Sequence, residues 1–294
     1  MNAPLAEEMH EPKSVEEAIT LLQEKGEDAA LIAGGTDLVI KLKEGVIEPV
    51  ALIDITKLPL GHIRGSRTKG LQIGALTCAK AIATSAILKK ELPVLVDAAI
   101  HLGGPQTQEV ATIGGNICNA SPCANFTNVL IALEASLKIK GPGGERNLPL
   151  KDFCRGPGVT NLDRSEILTE ILIPGIEGRY GTSYVKHTLR REMDIAIVGV
   201  AVLLIPDNDR IRKIRIALGS VGATVLLAEN AQRIMEGQIF ASHLVETAAK
   251  LAAEKDASYI DDVRSSAAYR KIITENAVIK AVKEAWAMAK GGKK

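Results

Sequence analysis

Aromatic side chains are scarce in this chain: one tryptophan, four tyrosines and three phenylalanines among 294 residues, 3% in all. A planar ligand bound here must therefore meet mostly aliphatic side chains and backbone. An excess of one charge is also lacking. Thirty-six lysines and arginines balance 35 aspartates and glutamates, for a net charge of +1. That excludes the basic footprint of a nucleic-acid binder. No apolar run reaches membrane-spanning length; residues 198–205 come closest and stop at Pro206. Four cysteines are present, Cys78, Cys118, Cys123 and Cys154. None falls in a CxxC pair, so a zinc or iron–sulfur site held by this chain alone is not supported. With no signal peptide, they read as buried thiols of a cytoplasmic protein.

Several chemical signatures are missing too. The chain has no GxGxxG after a strand and no GxxxxGK[ST], which sets aside the ordinary Rossmann and P-loop readings. It has no GxSxG and no HExxH. His10, His62, His101, His187 and His243 show no i,i+4 ligand spacing. The acid pair Asp261-Asp262 reads as a solvated turn between helices, and Arg190-Arg191-Glu192 as a solvated charge run. Lys290, Lys293 and Lys294 read as a frayed tail. With no triad, metal cluster or acid–base pair, a bound cofactor would carry the chemistry and the protein would supply position and electrostatics.

What the sequence does have is two glycine pairs, in Ala33-Gly34-Gly35-Thr36-Asp37 and Thr112-Ile113-Gly114-Gly115-Asn116. Each follows an apolar stretch and sits beside small hydrogen-bonding side chains. Glycine serves where backbone must pass close to something or take φ > 0. Successive N–H groups in such a turn form an anion-binding concavity. Two such turns predict one elongated phosphate-bearing ligand, a dinucleotide, held between two pieces of backbone.

Hydrophobic content of 46% and charged content of 24% are globular, and the length allows two domains. Ser14, with Glu17 three residues on, predicts a helix N-terminus, with Val15, Ala18, Ile19 and Leu22 on its apolar face and Gly26 at its end. Residues 29–33 and 50–55 predict strands, with a helix or tight turn over 37–43. Residues 70–74 alternate like a strand. Thr77 is expected to cap an alanine-rich helix, and residues 92–100 to form another. Ser121-Pro122 is expected to start a helix over 126–135. A hairpin follows around Gly141-Pro142-Gly143-Gly144, then a strand over 167–173. Residues 174–178 mark the expected domain boundary. Beyond it, segments near 184–185, 195–205 and 211–219 predict a small antiparallel sheet. Helices are expected over 226–236, 241–255 and 267–290, giving an α+β arrangement.

These residues resemble a known family: the FAD-binding medium subunit of molybdenum hydroxylases, the group of xanthine dehydrogenase and aerobic CO dehydrogenase. The resemblance runs nearly full length. It rests on residues 32–38 and 111–116, on Ala120-Ser121-Pro122, on residues 156–160 and 166–168, on Lys186 with residues 190–196, on residues 219–222, and on Tyr269-Arg270. It implies a two-part FAD-binding domain of the vanillyl-alcohol-oxidase-like (PCMH) type over residues 1–177, with subdomains of about 1–56 and 57–177. A C-terminal α+β domain of the CO dehydrogenase flavoprotein kind would span 178–294. By the resemblance, Leu31, Ile32, Ala33, Gly34, Gly35, Thr36, Asp37 and Leu38 wrap the FAD pyrophosphate. Thr112, Ile113, Gly114, Gly115 and Asn116 lie at its isoalloxazine and ribityl side. Leu102, Asn125, Leu168 and Lys186 line the flavin, with Leu168 at the ring and Lys186 at its polar edge.

The resemblance further implies an electron-exit subunit in a heterotrimer, paired as a dimer of heterotrimers. A large subunit would hold molybdopterin and a small one two [2Fe–2S] clusters. FAD would pass electrons to NAD or a quinone. Two departures stand out: Asn125 where the family usually has aspartate, and Thr107-Gln108-Glu109-Val110-Ala111 before the second glycine pair. The four-cysteine cluster of relatives of 4-hydroxybenzoyl-CoA reductase is not matched. A stand-alone flavin oxidoreductase and a flavin-free structural subunit are the alternative readings, and a visible spectrum separates the three.

Overall fold

The computed structural model describes residues 6–191 and 193–292. Its first unit is a three-stranded parallel sheet. Ala51–Asp54 lies in the centre, flanked by Glu8–His10 and Ala29–Ile32. The two later strands are joined by the helix Leu38–Lys43. The Glu8–His10 strand has no sequence signal of its own; its three residues carry no alternation, and its pairing supplies the structure.

The helix Val15–Lys25 packs on this sheet through Ala18, Ile19 and Leu22. Ser14 Oγ accepts from the Glu17 N–H at 3.1 Å, and the Glu17 carboxylate accepts from the Lys13 N–H at 2.7 Å. Gly26 ends the helix at φ +57°. Ser14→Ala should remove about 1 kcal/mol of stability. A urea midpoint shift without a change in slope would show it.

The second unit is a five-stranded antiparallel sheet in the spatial order Ile63–Ser66, Gly70–Gly74, Ile167–Ile173, Ser136–Gly141, Gly144–Pro149. The expected hairpin around residues 141–144 is present. Helices Pro93–Ile100 and Asn125–Ala132 bury Val94, Leu95, Phe126 and Leu130 against this sheet. Several local expectations shift. The alanine-rich helix Ala79–Thr84 is preceded by Cys78, not capped by Thr77, whose hydroxyl instead donates to the His62 carbonyl. A further helix, Ala86–Glu91, starts at Ser85, whose Oγ accepts from the Leu88 N–H. The helix after Ser121-Pro122 spans Asn125–Ala132, not 126–135.

The third unit is an antiparallel sheet of Gly181–His187, Val198–Asp207, Arg210–Gly219 and the short Leu226–Leu227, in that order. Residues 226–227 are thus strand, and the expected helix begins only at Glu229. The strand Val198–Asp207 explains its own unbroken apolar run. Val198, Val200, Val202 and Leu204 face the helix Ala267–Ala289, while Ala201, Leu203 and Ile205 join the core of the five-stranded sheet. A strand covered on both faces loses its polar alternation.

The segment after Ile173 is pinned rather than free. The Arg67 guanidinium donates to the carbonyls of Ile176 and Gly178 and sits 4.8 Å from the Tyr180 ring centroid. The C-terminal lysine cluster is only partly described. Lys290 is not frayed: it bonds Asp209 at 2.7 Å and lies over Trp286. Lys293 and Lys294 lie outside the described residues, as does Glu192 of the charge run. No described helix is long and apolar enough to cross a membrane.

Candidate functional site

Both glycine pairs open onto one cavity of about 740 Å³, between the parallel sheet, the helices of the second unit and the edge of the third. That size suits a small-molecule or cofactor site. The pairs do different things, however.

Gly34-Gly35 forms the turn from the strand Ala29–Ile32 into the helix Leu38–Lys43. Gly35 has φ +70°. A Cβ on Gly34 would lie 1.9 Å from the Val110 carbonyl oxygen. The first turn is therefore pressed against the chain just ahead of the second glycine pair. Asp37 gives the following helix no side-chain cap. Among the described residues, the N–H groups of Gly34, Gly35, Thr36 and Asp37 donate to no protein acceptor. Four such donors facing a cavity make an anion cradle.

Gly114-Gly115 is not a turn. It lies in the helix Ile113–Cys118. Thr112 caps that helix, its Oγ1 accepting from the Gly115 N–H at 3.1 Å. The Ile113 N–H donates to the Thr77 carbonyl, that of Gly114 to Ala75 and that of Asn116 to Thr112. The anion concavity expected at the second pair is therefore absent, because its amides are spent inside the protein. Gly114 allows close packing instead: a Cβ there would lie 2.7 Å from Ala75. This segment offers the cavity side chains. Asn116 Oδ1 is buried and has no partner among the described residues, an uncompensated cost unless a ligand donor meets it.

A hydrogen-bonded chain locks the two segments together. Lys41 Nζ donates to Asn119 Oδ1 at 2.8 Å, and Asn119 Nδ2 donates to Asp37 Oδ1 at 2.9 Å. Burial pushes the Asp37 carboxyl up, with Lys41 opposing.

Of the residues expected at the site, Leu31, Ala33, residues 34–38, Leu102, Thr112, Gly115, Asn116, Asn125 and Lys186 all line the cavity. Ile32, Ile113, Gly114 and Leu168 are not among its lining residues. The Ile32 side chain packs beneath Gly35. Ile113 and Leu168 are buried in the core of the five-stranded sheet, Leu168 beside an irregularity in strand register. Asn125 also departs from its expected role. Its Nδ2 donates to the His101 and Ala98 carbonyls at 2.9 and 3.3 Å, and its Oδ1 accepts from the Tyr184 hydroxyl at 3.1 Å. Its polar atoms are thus all engaged within the protein.

Lys186 Nζ donates to the same His101 carbonyl at 2.8 Å. Burial lowers its pKa, and Asp194 and Cys123 counter part of that. The altered segment before the second pair forms a short helix, Pro105–Val110, and places Thr107 and Ala111 on the cavity.

The far wall was not anticipated. Asp262, expected in a solvated turn, is only partly exposed there. It pairs with Arg264 at 2.7 Å and Arg270 at 2.8 Å. Burial pushes its carboxyl up, but the backbone N–H and guanidinium of Arg264, the Arg270 guanidinium and the Ser265 N–H outweigh this. They hold it well below the usual carboxylate range. Arg270 is 2% exposed and also donates to the Ile197 and Ser220 carbonyls. These partners lie 50 and 73 positions away, beyond any local signal; only the resemblance at Tyr269-Arg270 marked the place. Cys118 also reaches the cavity edge, its thiol pushed up to about 12 by burial and by neighbouring Cys154. No group of three or more potential metal ligands occurs among the described residues.

Comparison with known proteins gives the family of the chain. Residues 5–176 match the family described as "FAD binding domain in molybdopterin dehydrogenase", and residues 183–285 the "CO dehydrogenase flavoprotein C-terminal domain". The chain is 35% identical to the carbon monoxide dehydrogenase medium chain of Hydrogenophaga pseudoflava, covering 95% of this chain and 97% of that one. It is 30% identical to the xanthine dehydrogenase FAD-binding subunit of Escherichia coli O157:H7, covering 97% of each. It superimposes on a solved structure of carbon monoxide dehydrogenase from Hydrogenophaga pseudoflava with a TM-score of 0.92 at 35% identity, covering 97% of this chain and 99% of that one.

Proposed function

The chain belongs to the FAD-binding medium subunits of molybdenum hydroxylases, and from that premise we propose that it is the electron-exit subunit of a three-subunit oxidoreductase. The observation that carries this reading is the single cavity shared by two glycine segments nearly eighty residues apart. One segment offers free backbone donors and the other an unpartnered side-chain acceptor. The residues present fit FAD. The N–H groups of residues 34–37 would hold the pyrophosphate, whose charge suits them. Asn116 Oδ1 would accept from a ribityl hydroxyl or a ring N–H. Leu102 would cover part of the ring, and Lys186 would place positive charge at its edge.

FAD, when bound, can take up electrons one at a time and release them as a pair. The chain's own part is to orient it and shield it from water. The cavity carboxylates Asp37, Asp194 and Asp262 are each engaged with neighbouring donors. Among the described residues, none of these three carboxylates stands free as a substrate base, which favours an electron-transfer subunit over a stand-alone oxidoreductase. The reading places molybdopterin on a large partner and two [2Fe–2S] clusters on a small one. The acceptor is NAD or a quinone, and the assembly is a cytoplasmic dimer of heterotrimers.

The test is to purify this chain alone and add the reaction partners in turn. The expected result is a yellow protein that releases FAD on acid denaturation. The physiological substrate should bleach it only when both partner subunits are present. A colourless protein that takes up no added FAD would contradict the reading.

A further inference from the structure

The cavity wall at Lys186 is built around one carbonyl oxygen. The His101 carbonyl accepts from Lys186 Nζ at 2.8 Å and from Asn125 Nδ2 at 2.9 Å. Two donors within reach of one oxygen are themselves near neighbours. Tyr184 and Lys186 are two residues apart on one strand and so share a face. Tyr184 fixes the other end of the Asn125 amide. The amide orientation follows from its surroundings: two carbonyls lie on one side and a hydroxyl on the other, and only the NH₂ can face the carbonyls. Among the described residues, the group that Lys186 bonds is therefore neutral. Asp194, an acid of the adjoining loop, accepts from the N–H groups of Arg190 and Ile195 and lies 3.5 Å from the Arg190 guanidinium.

We propose that Asn125 is a positioning residue: its uncharged amide shapes the wall so that the Lys186 ammonium bonds a neutral carbonyl, and not a carboxylate, where it faces the bound flavin. The proposal rests on the FAD reading of the cavity. An aspartate at 125 has the same shape but no NH₂. It would set a carboxylate oxygen against the carbonyls of Ala98 and His101. The nearest cation able to relieve that repulsion is Lys186, which would turn from the carbonyl to the carboxylate. The pair would then be close to neutral. Reduction adds negative charge to a flavin, so an unpaired cation at the wall favours the reduced form and a paired one does not.

The experiment measures the midpoint potential of FAD in the full-length protein, by equilibration with redox dyes. Asn125→Asp and Lys186→Gln should each weaken the preference for reduced over oxidised FAD by on the order of tenfold. Lys186→Arg should restore most of the preference. If Asn125→Asp does not fold, Lys186→Gln and Lys186→Arg still decide: a potential indifferent to both overturns the proposal. An Asn125→Asp potential equal to that of wild type also overturns it, since the amide would then have no bearing on the charge at the wall. Wild-type protein that takes up no FAD overturns the cofactor reading itself, an outcome distinct from bound FAD whose potential ignores Lys186.

Discussion

Gly34→Ala should weaken FAD binding by roughly a hundredfold or more while Gly143→Ala leaves it unchanged. At Gly34 the added methyl would stand 1.9 Å from a backbone oxygen, that of Val110. No rotamer relieves such a clash; the backbone of one segment must move. Either movement spoils the cradle. Shifting residues 34–37 turns their N–H groups away from a shared anion. Shifting 110–111 pulls on Thr112, which caps the helix carrying Asn116. Overpacking of this kind costs about 3 kcal/mol or more. If that falls on the bound state, it is roughly a hundredfold in affinity. Gly143, at the hairpin tip, has nothing within 4 Å of its would-be Cβ. Gly35→Ala should fall between the two, because φ +70° costs a non-glycine residue about 1–2 kcal/mol. Titration of apoprotein with FAD, followed by quenching of flavin fluorescence, measures all three.

Arg270→Leu should be the most destabilising single change outside the apolar cores. The side chain is 2% exposed and bonds two carbonyls and a carboxylate. Leucine fills part of the space but leaves the Ile197 and Ser220 carbonyls buried without this donor. Removing one member of a buried pair costs about 3–5 kcal/mol, a fall in Tm of roughly 10 °C for a chain of this size. Arg270→Lys should recover little, because one ammonium cannot reach three acceptors fixed in the directions of a guanidinium fork.

The linked acid predicts the pH dependence. Asp262 has a folded pKa below its unfolded value, so its contribution is complete above the unfolded pKa, about 3.9. That contribution fades as pH falls through the folded value. Asp262→Asn should therefore lower stability at pH 7, with the gap to wild type closing as the pH drops below about 4. Thermal melts across that range report it.

These sites also show where the sequence speaks plainly and where it does not. The helix Val15–Lys25 was legible because cap, apolar stripe and glycine stop agree within a dozen residues. The three longer strands of the third unit were legible because turns punctuate β-branched runs, whereas the short Leu226–Leu227 was not. The second glycine pair misled, since glycine is a poor helix former. The Thr112 cap and the carbonyls of Ala75 and Thr77 override that preference, and two of those three are tertiary contacts. Asp262 was misread for a related reason. Its solvation depends on Arg270 and on the strand ends that Arg270 holds, none of them visible in a dipeptide. Most residues of the two glycine motifs line the one cavity, because short motifs carry their own spacing. Leu168 shows the limit, since a residue next to a site in motif order can face the core behind it.

Hydrogen–deuterium exchange with and without FAD addresses the central claim most directly, because the two glycine segments begin from different states. Among the described residues the amides of 34–37 donate to no protein acceptor, whereas those of residues 113–116 are already bonded. Bound FAD should slow exchange sharply at 34–37 and change 113–116 little. Saturation with FAD that leaves 34–37 exchanging freely would contradict the assignment of the pyrophosphate to that turn.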